Sequence, residues 1–324
     1  MSSKLRPLIS IVSPAGVAAN NGNWHTAWRW SRMLAGNCRT AISTQWSGED
    51  CAALIALHAR RCAPSIDAFA KAHPRRPLIV VLTGTDLYRD IRSDASAQRS
   101  LRQASHLVVL QDQGPEELAP ALRARCSVIY QSAPPLRAAA LPKRVLRVVQ
   151  VAHLRDEKDP ATFMRAALRL NRRSTIHFEH IGDALDADLG AAARRTQQEC
   201  PHYRWLGALP RPVTRRHIQR GHLLVSTSKM EGGAHVILEA AQSSTAVLAS
   251  HVAGNVGMLG PGFAGYFDLG DDAALAALIA RARDDAQFLA RLRAQTVARA
   301  PLFDSAEEQR RLLNLIHTAL ENPR

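Results

Sequence analysis

The sequence predicts an α/β fold of two Rossmann-like domains, and three observations carry that expectation. Short apolar, β-branched runs recur along the chain with helical stretches between them, the pattern of parallel sheets with crossover helices. The rhythm breaks once, at Ser132-Ala-Pro-Pro-Leu-Arg-Ala-Ala-Ala-Leu-Pro142, where three prolines mark a linker, and then resumes. At 324 residues and 46% hydrophobic content, the chain is long and apolar enough for about two cores.

Before the linker, residues 8–12, 54–57, 78–82, 107–110 and 128–130 read as strands, and 24–35, 64–72 and 115–122 as helices at βαβ spacing. After it, 146–152, 175–181, 203–206, 223–226 and 246–249 read as strands, with helices at 160–170, 185–199, 213–220 and 235–243. Asp304-Ser-Ala-Glu-Glu is a helix start, and Leu312, Leu313, Ile316 and Leu320 line one face of the helix that follows. The expected boundaries are therefore 1–140, 141–300 and 301–324, the last a helix packing back on the first domain.

Net charge is +14, but only five of the 42 basic residues are lysines, and the arginines occur as isolated pairs such as Arg60-Arg61 and Arg215-Arg216. A nucleic-acid tail shows a dense basic run instead, so no nucleic-acid partner is expected. No run of 18 apolar residues and no signal-peptide pattern occurs, so no integral membrane segment and a cytoplasmic location are expected. The five cysteines are widely spaced and never form a C-x-x-C pair, against both a disulfide framework and a zinc site.

Open α/β sheets bind ligands beyond the carboxyl ends of their strands, so the residues just after each strand matter most. The strand at 223–226 leads into Lys229-Met-Glu-Gly-Gly-Ala-His-Val-Ile-Leu-Glu-Ala240. Glycines at a helix start let an anion approach free amides. Taken alone, Gly232-Gly233 is simply a tight turn; two carboxylates beside it, Glu231 and Glu239, add acceptors for sugar and ribose hydroxyls. The loop Val151-Ala-His-Leu-Arg-Asp-Glu-Lys-Asp-Pro160 adds Arg155 and Lys158, which could neutralise a departing diphosphate. By itself this loop reads better as a solvated charged turn, with Asp156, Glu157 and Asp159 cancelling the cations.

"EGGAHVILEA" resembles the E-x7-E signature of glycosyltransferase family 4, a family of the GT-B fold, and "LRDEKDP" resembles that family's basic loop. The resemblance implies two Rossmann-like domains facing each other across a cleft and a nucleotide-sugar site in the second. Glu231 would meet the sugar hydroxyls, the Gly232, Gly233, Ala234 and His235 amides the diphosphate, and Glu239 the ribose. Lys158 matches the family lysine, while His153 or Arg155 stands in for the family arginine. The segment Trp205-Leu-Gly-Ala-Leu-Pro210 matches the family's nucleobase loop, placing backbone from Leu206 to Leu209 against a uracil.

In the first domain three strand-end loops carry polar groups: 13–23 with Asn20, Asn21, Gly22 and Asn23, 58–61 with Arg60 and Arg61, and 83–88 with Thr83, Thr85 and Asp86. Each alone reads as an ordinary turn, with Asp86 a cap. Together with Arg29 they suit a small anionic acceptor, and His25 and Asp86 are base candidates. The stretches "AANNGNWHTAWRWSRML", "ALHARRCAPSI", "VVLTGTDLYRDI" and "LVVLQDQG" resemble the selenosugar synthases of selenoneine biosynthesis. That resemblance implies UDP-N-acetylglucosamine or a close relative as sugar source and selenophosphate as acceptor. It also implies functional coupling with the enzymes that supply selenophosphate and form selenoneine. Asp186-Ala-Asp188 reads as a helix-start acid cluster rather than a metal motif, so no metal and no cofactor are expected. An ordinary family-4 transferase with a saccharide or lipid hydroxyl acceptor is the alternative.

Overall fold

The structure, a computed structural model, describes residues 6–16 and 22–322. The chain separates into two compact units, one holding residues through Gln131 together with those from Ser305 onward, the other Ser132–Asp304.

The first unit runs β1 (Leu8–Val12), α1 (Gly22–Leu34), β2 (Arg39–Ser43), β3 (Ala53–Leu57), α2 (Ala63–Ala72), β4 (Leu78–Leu82), α3 (Ala95–Gln103), β5 (His106–Val109) and β6 (Cys126–Val128). The second continues β7 (Leu146–Val151), α4 (Pro160–Arg169), β8 (Ile176–Ile181), α5 (Ala187–Glu199), β9 (Tyr203–Trp205), α6 (Arg211–Arg220) and β10 (Leu223–Ser226). Then come α7 (His235–Ala241), β11 (Ala246–Ser250), α8 (Ala253–Leu259), β12 (Tyr266–Phe267), α9 (Asp272–Asp284) and α10 (Ala286–Ala298). Finally α11 (Ser305–Glu321) belongs to the first unit.

Both sheets are six-stranded and parallel, ordered β2-β1-β3-β4-β5-β6 and β12-β11-β10-β7-β8-β9. Alternation along the strands feeds two cores in the first unit. Leu54, Ala56, Val80 and Leu82 face Ile66 and Phe69 of α2, whereas Ile55, Leu57, Ile79 and Val81 face Trp30 of α1 and Leu312 and Ile316 of α11. Burial of both faces explains why these strands read as continuous apolar runs. Among the described residues no helix is long and apolar enough to cross a membrane.

Differences from the sequence reading have local causes. Edge strand β2 (RTAIS) is only partly buried, and β12 has two residues, so neither makes an apolar run. The expected helix at 115–122 is a 3-10 turn, Gly114–Glu117, and a single α turn, Pro120–Arg123, because each proline removes a backbone donor. Residues 132–140 join the second unit, not the first: Leu136 N–H donates to the Gln242 carbonyl, and Arg215 and Gln219 donate to the Pro134 and Arg137 carbonyls. Likewise 301–304 stay with the second unit, Gln242 donating to the Ala300 and Phe303 carbonyls.

Candidate active site

In the second sheet the strand order reverses between β7 and β10, the place where doubly wound sheets open for a ligand. Two loops leave the sheet there, 152–159 after β7 and 227–234 after β10. They are laced together: Thr227 Oγ1 donates to the Lys158 carbonyl at 2.8 Å, and Lys229 N–H to the Glu157 carbonyl at 2.9 Å. Gln150, inside β7, donates to Thr227 Oγ1 at 2.6 Å. Asp159 enters α4 at φ 42°, a left-handed position that aspartate tolerates, and Pro160 opens the helix.

Lacing brings Lys158 and Glu231 together. Lys158 Nζ lies 2.6 Å from Glu231 Oε1, and Ser228 Oγ donates to the same oxygen at 2.6 Å. Behind them α8 presses close: a Cβ on Gly254 would stand 1.9 Å from the Glu231 carbonyl oxygen, so only glycine fits. Ser250 Oγ donates to the Ser228 carbonyl at 2.6 Å, and Asn255 caps that hydroxyl. Gly232 and Ala234 are buried, Gly233 and His235 half-buried.

Glu239, on α7, is 5% exposed, and two guanidiniums and an imidazole approach its Oε1: Arg211 at 3.3 Å, His235 at 3.4 Å and Arg215 at 3.9 Å. Burial alone would raise this carboxyl, yet the hydrogen bond and charge of His235, with Arg211 and Arg215, hold it below the usual carboxylate range. Neither arginine of α6 was singled out in the sequence; their signal, a cation-rich helix facing an acid, needs the fold to be seen.

His153 accepts from Asp183 N–H at 3.0 Å, and burial together with Arg155 pushes its imidazole below the usual range. Arg155 lies 3.9 Å from Glu157. Leu206 N–H donates to the His180 carbonyl, Gly182 N–H to the Gly207 carbonyl, and Leu209 C=O accepts from Thr214, so the 206–209 loop is tied to the sheet. Asp186 caps α5 by accepting from Asp188 and Leu189 N–H.

In the first unit, Asn20 and Asn21 lie outside the described residues. Gly22 and Asn23 open α1, where the Gly22 carbonyl accepts from Thr26 Oγ1, and His25 follows on the same helix, half-buried. Arg29 forms a bidentate pair with Glu308 of α11, which Trp30 Nε1 also reaches, so the pair ties two helices of this unit together. Asp86 has no solvent exposure, and its carboxylate accepts from Thr83, Gly84 and Ala59 N–H, each at 2.9 Å, which holds the turn.

His58 opens the loop that carries Arg60 and Arg61. It sits at φ 109°, strained for a residue of its bulk, and is 2% exposed. Its Nδ1 accepts from Arg61 N–H, leaving Nε2 to donate to Thr85 Oγ1 at 3.0 Å. Burial lowers the imidazole despite the nearby Asp86 charge. Arg60 and Arg61 are exposed, Arg60 lying 3.2 Å from the buried Asp90.

Residues 137–299 match the family described as Glycosyl transferases group 1. A search of curated proteins returned no match. Among solved structures, sucrose-phosphate synthase from Thermosynechococcus elongatus superposes with a TM-score of 0.78 at 14% identity, covering 97% of this chain and 99% of its own. HepE from Anabaena, in complex with UDP-glucose, gives 0.76 at 14% identity, with 96% and 100% covered. TarM from S. aureus, in complex with fondaparinux, alpha-GlcNAc-glycerol and UDP, gives 0.64 at 14%, and the chain spans 55% of its length. Likeness at this identity establishes two Rossmann-like units of the GT-B fold.

Proposed function

Because the chain belongs to the glycosyl transferases group 1 family, we propose that it transfers a sugar, N-acetylglucosamine or a close relative, from a UDP-sugar to selenophosphate. The observation that carries the sugar-nucleotide half is the Lys158–Glu231 pair at the point where the strand order reverses, with the buried Glu239 beside it. Lys158 offsets charge building on the departing diphosphate, Glu231 accepts from sugar hydroxyls, and Glu239 from the ribose. UDP in the TarM complex and UDP-glucose in the HepE complex support a uridine nucleotide.

For the acceptor half, support comes from the resemblance of the first-unit loops to selenosugar synthases and from the exposed Arg60 and Arg61. Selenophosphate arrives as an anion with a nucleophilic selenium, so positioning cations matter more than a general base. The carbon–selenium bond forms as the anomeric carbon–oxygen bond breaks, and UDP leaves with the electron pair. Water then cleaves the phosphorus–selenium bond, giving the 1-selenosugar and phosphate. No metal is assigned a role.

The test is incubation with UDP-N-acetylglucosamine and selenophosphate in the presence of EDTA, following UDP and a selenium-containing sugar by mass. Both should accumulate; UDP release no faster than without acceptor would sink the selenium reading. Replacing both Arg60 and Arg61 by alanine should raise the KM for selenophosphate by roughly tenfold or more, from the loss of two charge-assisted contacts. An unchanged KM would remove them from the acceptor site.

One observation favours a hydroxyl acceptor instead. Trp28 of α1 is 49% exposed with the Arg32 guanidinium 5.3 Å from its ring, an apolar and basic face suited to a saccharide or lipid. Sugar transfer to such an acceptor, with none to selenophosphate, would decide for that reading.

A further inference from the structure

Glu239 is gripped in a one-sided way. Arg211 Nε and Nη2 each lie 3.3 Å from Oε1, His235 Nδ1 lies 3.4 Å and Arg215 Nε 3.9 Å from the same atom. Among the described residues no side-chain hydrogen bond is made to Oε2. The two arginines stand one turn apart on α6, so they share a face. Arg211 is the first residue of that helix, whose first turn has no acid, and a cation there opposes the helix dipole. A residue that breaks a local preference answers to something beyond its own helix, and here that is Glu239. Arg215 is fixed in turn by donating through Nη2 to the Pro134 carbonyl at 2.6 Å.

A glutamate carboxylate otherwise rotates broadly about its last torsion. Anchoring one oxygen sets the direction of the other and removes the entropy lost when a ligand must order it.

We propose that Arg211 and Arg215 are positioning residues which hold Glu239 by Oε1 so that Oε2 is presented to a vicinal diol, the 2′ and 3′ hydroxyls of a nucleotide ribose. The proposal rests on the nucleotide-sugar reading above and assigns to α6 the discrimination of ribose from 2′-deoxyribose. A site built to bond a hydroxyl rejects the ligand that lacks it, because the waiting polar group is left unpaired.

Calorimetric titration of the full chain with UDP and with 2′-deoxy-UDP tests this. The unmodified chain should prefer UDP by roughly tenfold or more. In Arg211→Gln and Arg215→Gln the preference should fall toward one while affinity for 2′-deoxy-UDP stays within about twofold, and Arg211→Lys should restore part of it. Arg211, with a third of its side chain exposed, carries the test if the Arg215 variant loses its cooperative melt. A preference that survives in the Arg211 variant, or equal weakening of both ligands, overturns the positioning role. Binding of UDP without preference by the unmodified chain overturns the diol assignment while the nucleotide reading stands. Absence of UDP binding overturns both.

Discussion

Lys158→Ala is expected to lower kcat/KM for the nucleotide sugar by about 10²–10³, the usual effect of removing one group aimed at charge that develops in the transition state. Lys158 projects from the loop after β7 onto the loop after β10, where its ammonium meets Glu231 at 2.6 Å. The alanine variant leaves the Glu231 carboxylate with the Ser228 hydroxyl on the same oxygen. Its stability loss should therefore stay near 1 kcal/mol, which is about 2–4 °C in Tm for a unit of this size. Steady-state kinetics with a parallel thermal melt separates the two effects. A fall in kcat/KM of less than threefold would take Lys158 out of the transition state. A collapse of Tm by tens of degrees would make it a structural residue.

Gly254→Ala should be the most damaging small substitution near the site. The added Cβ would lie 1.9 Å from the Glu231 carbonyl oxygen and 2.7 Å from its carbonyl carbon, so backbone must move, either α8 or the turn carrying Glu231. Overpacking against backbone costs about 2–3 kcal/mol, which corresponds to a Tm loss of roughly 5–10 °C. A displacement near 1 Å at Glu231 also misaligns the group proposed to hold the sugar, worth on the order of 10²-fold in rate. Gly262→Ala is the matched control, since nothing lies within 4 Å of its added Cβ. Wild-type Tm and activity in Gly254→Ala would show that the α8 contact does not set the position of Glu231.

Much of the fold was legible because a strand buried on both faces is written as an apolar run. β1, β4 and β10 were located to the residue for that reason. Edge strand β2 and the two-residue β12 carry too little buried surface to leave such a mark. Helices α8, α9 and α10 went unseen, as did α3, whose mean composition is polar and whose buried residues are Ala97, Ser100 and Leu101. Within the site, Glu231, Lys158 and the glycine turn stood out through their positions after strands. The partner of Arg29, Glu308, lies 279 positions away, a contact that local sequence does not encode.

By itself the sequence determined two α/β units, the linker prolines between them, and which loops carry glycines, acids and cations, because each is a matter of local periodicity and backbone chemistry. Strand order was decided only by the tertiary structure. Pairing of β7 with β10 puts residues 158 and 231 within hydrogen-bond reach, and α6 beside α7 turns Glu239 from a lone acid into a carboxylate held by two arginines and a histidine. The physical reason is that such contacts depend on distances between chain segments tens of residues apart, which no helix or strand period encodes.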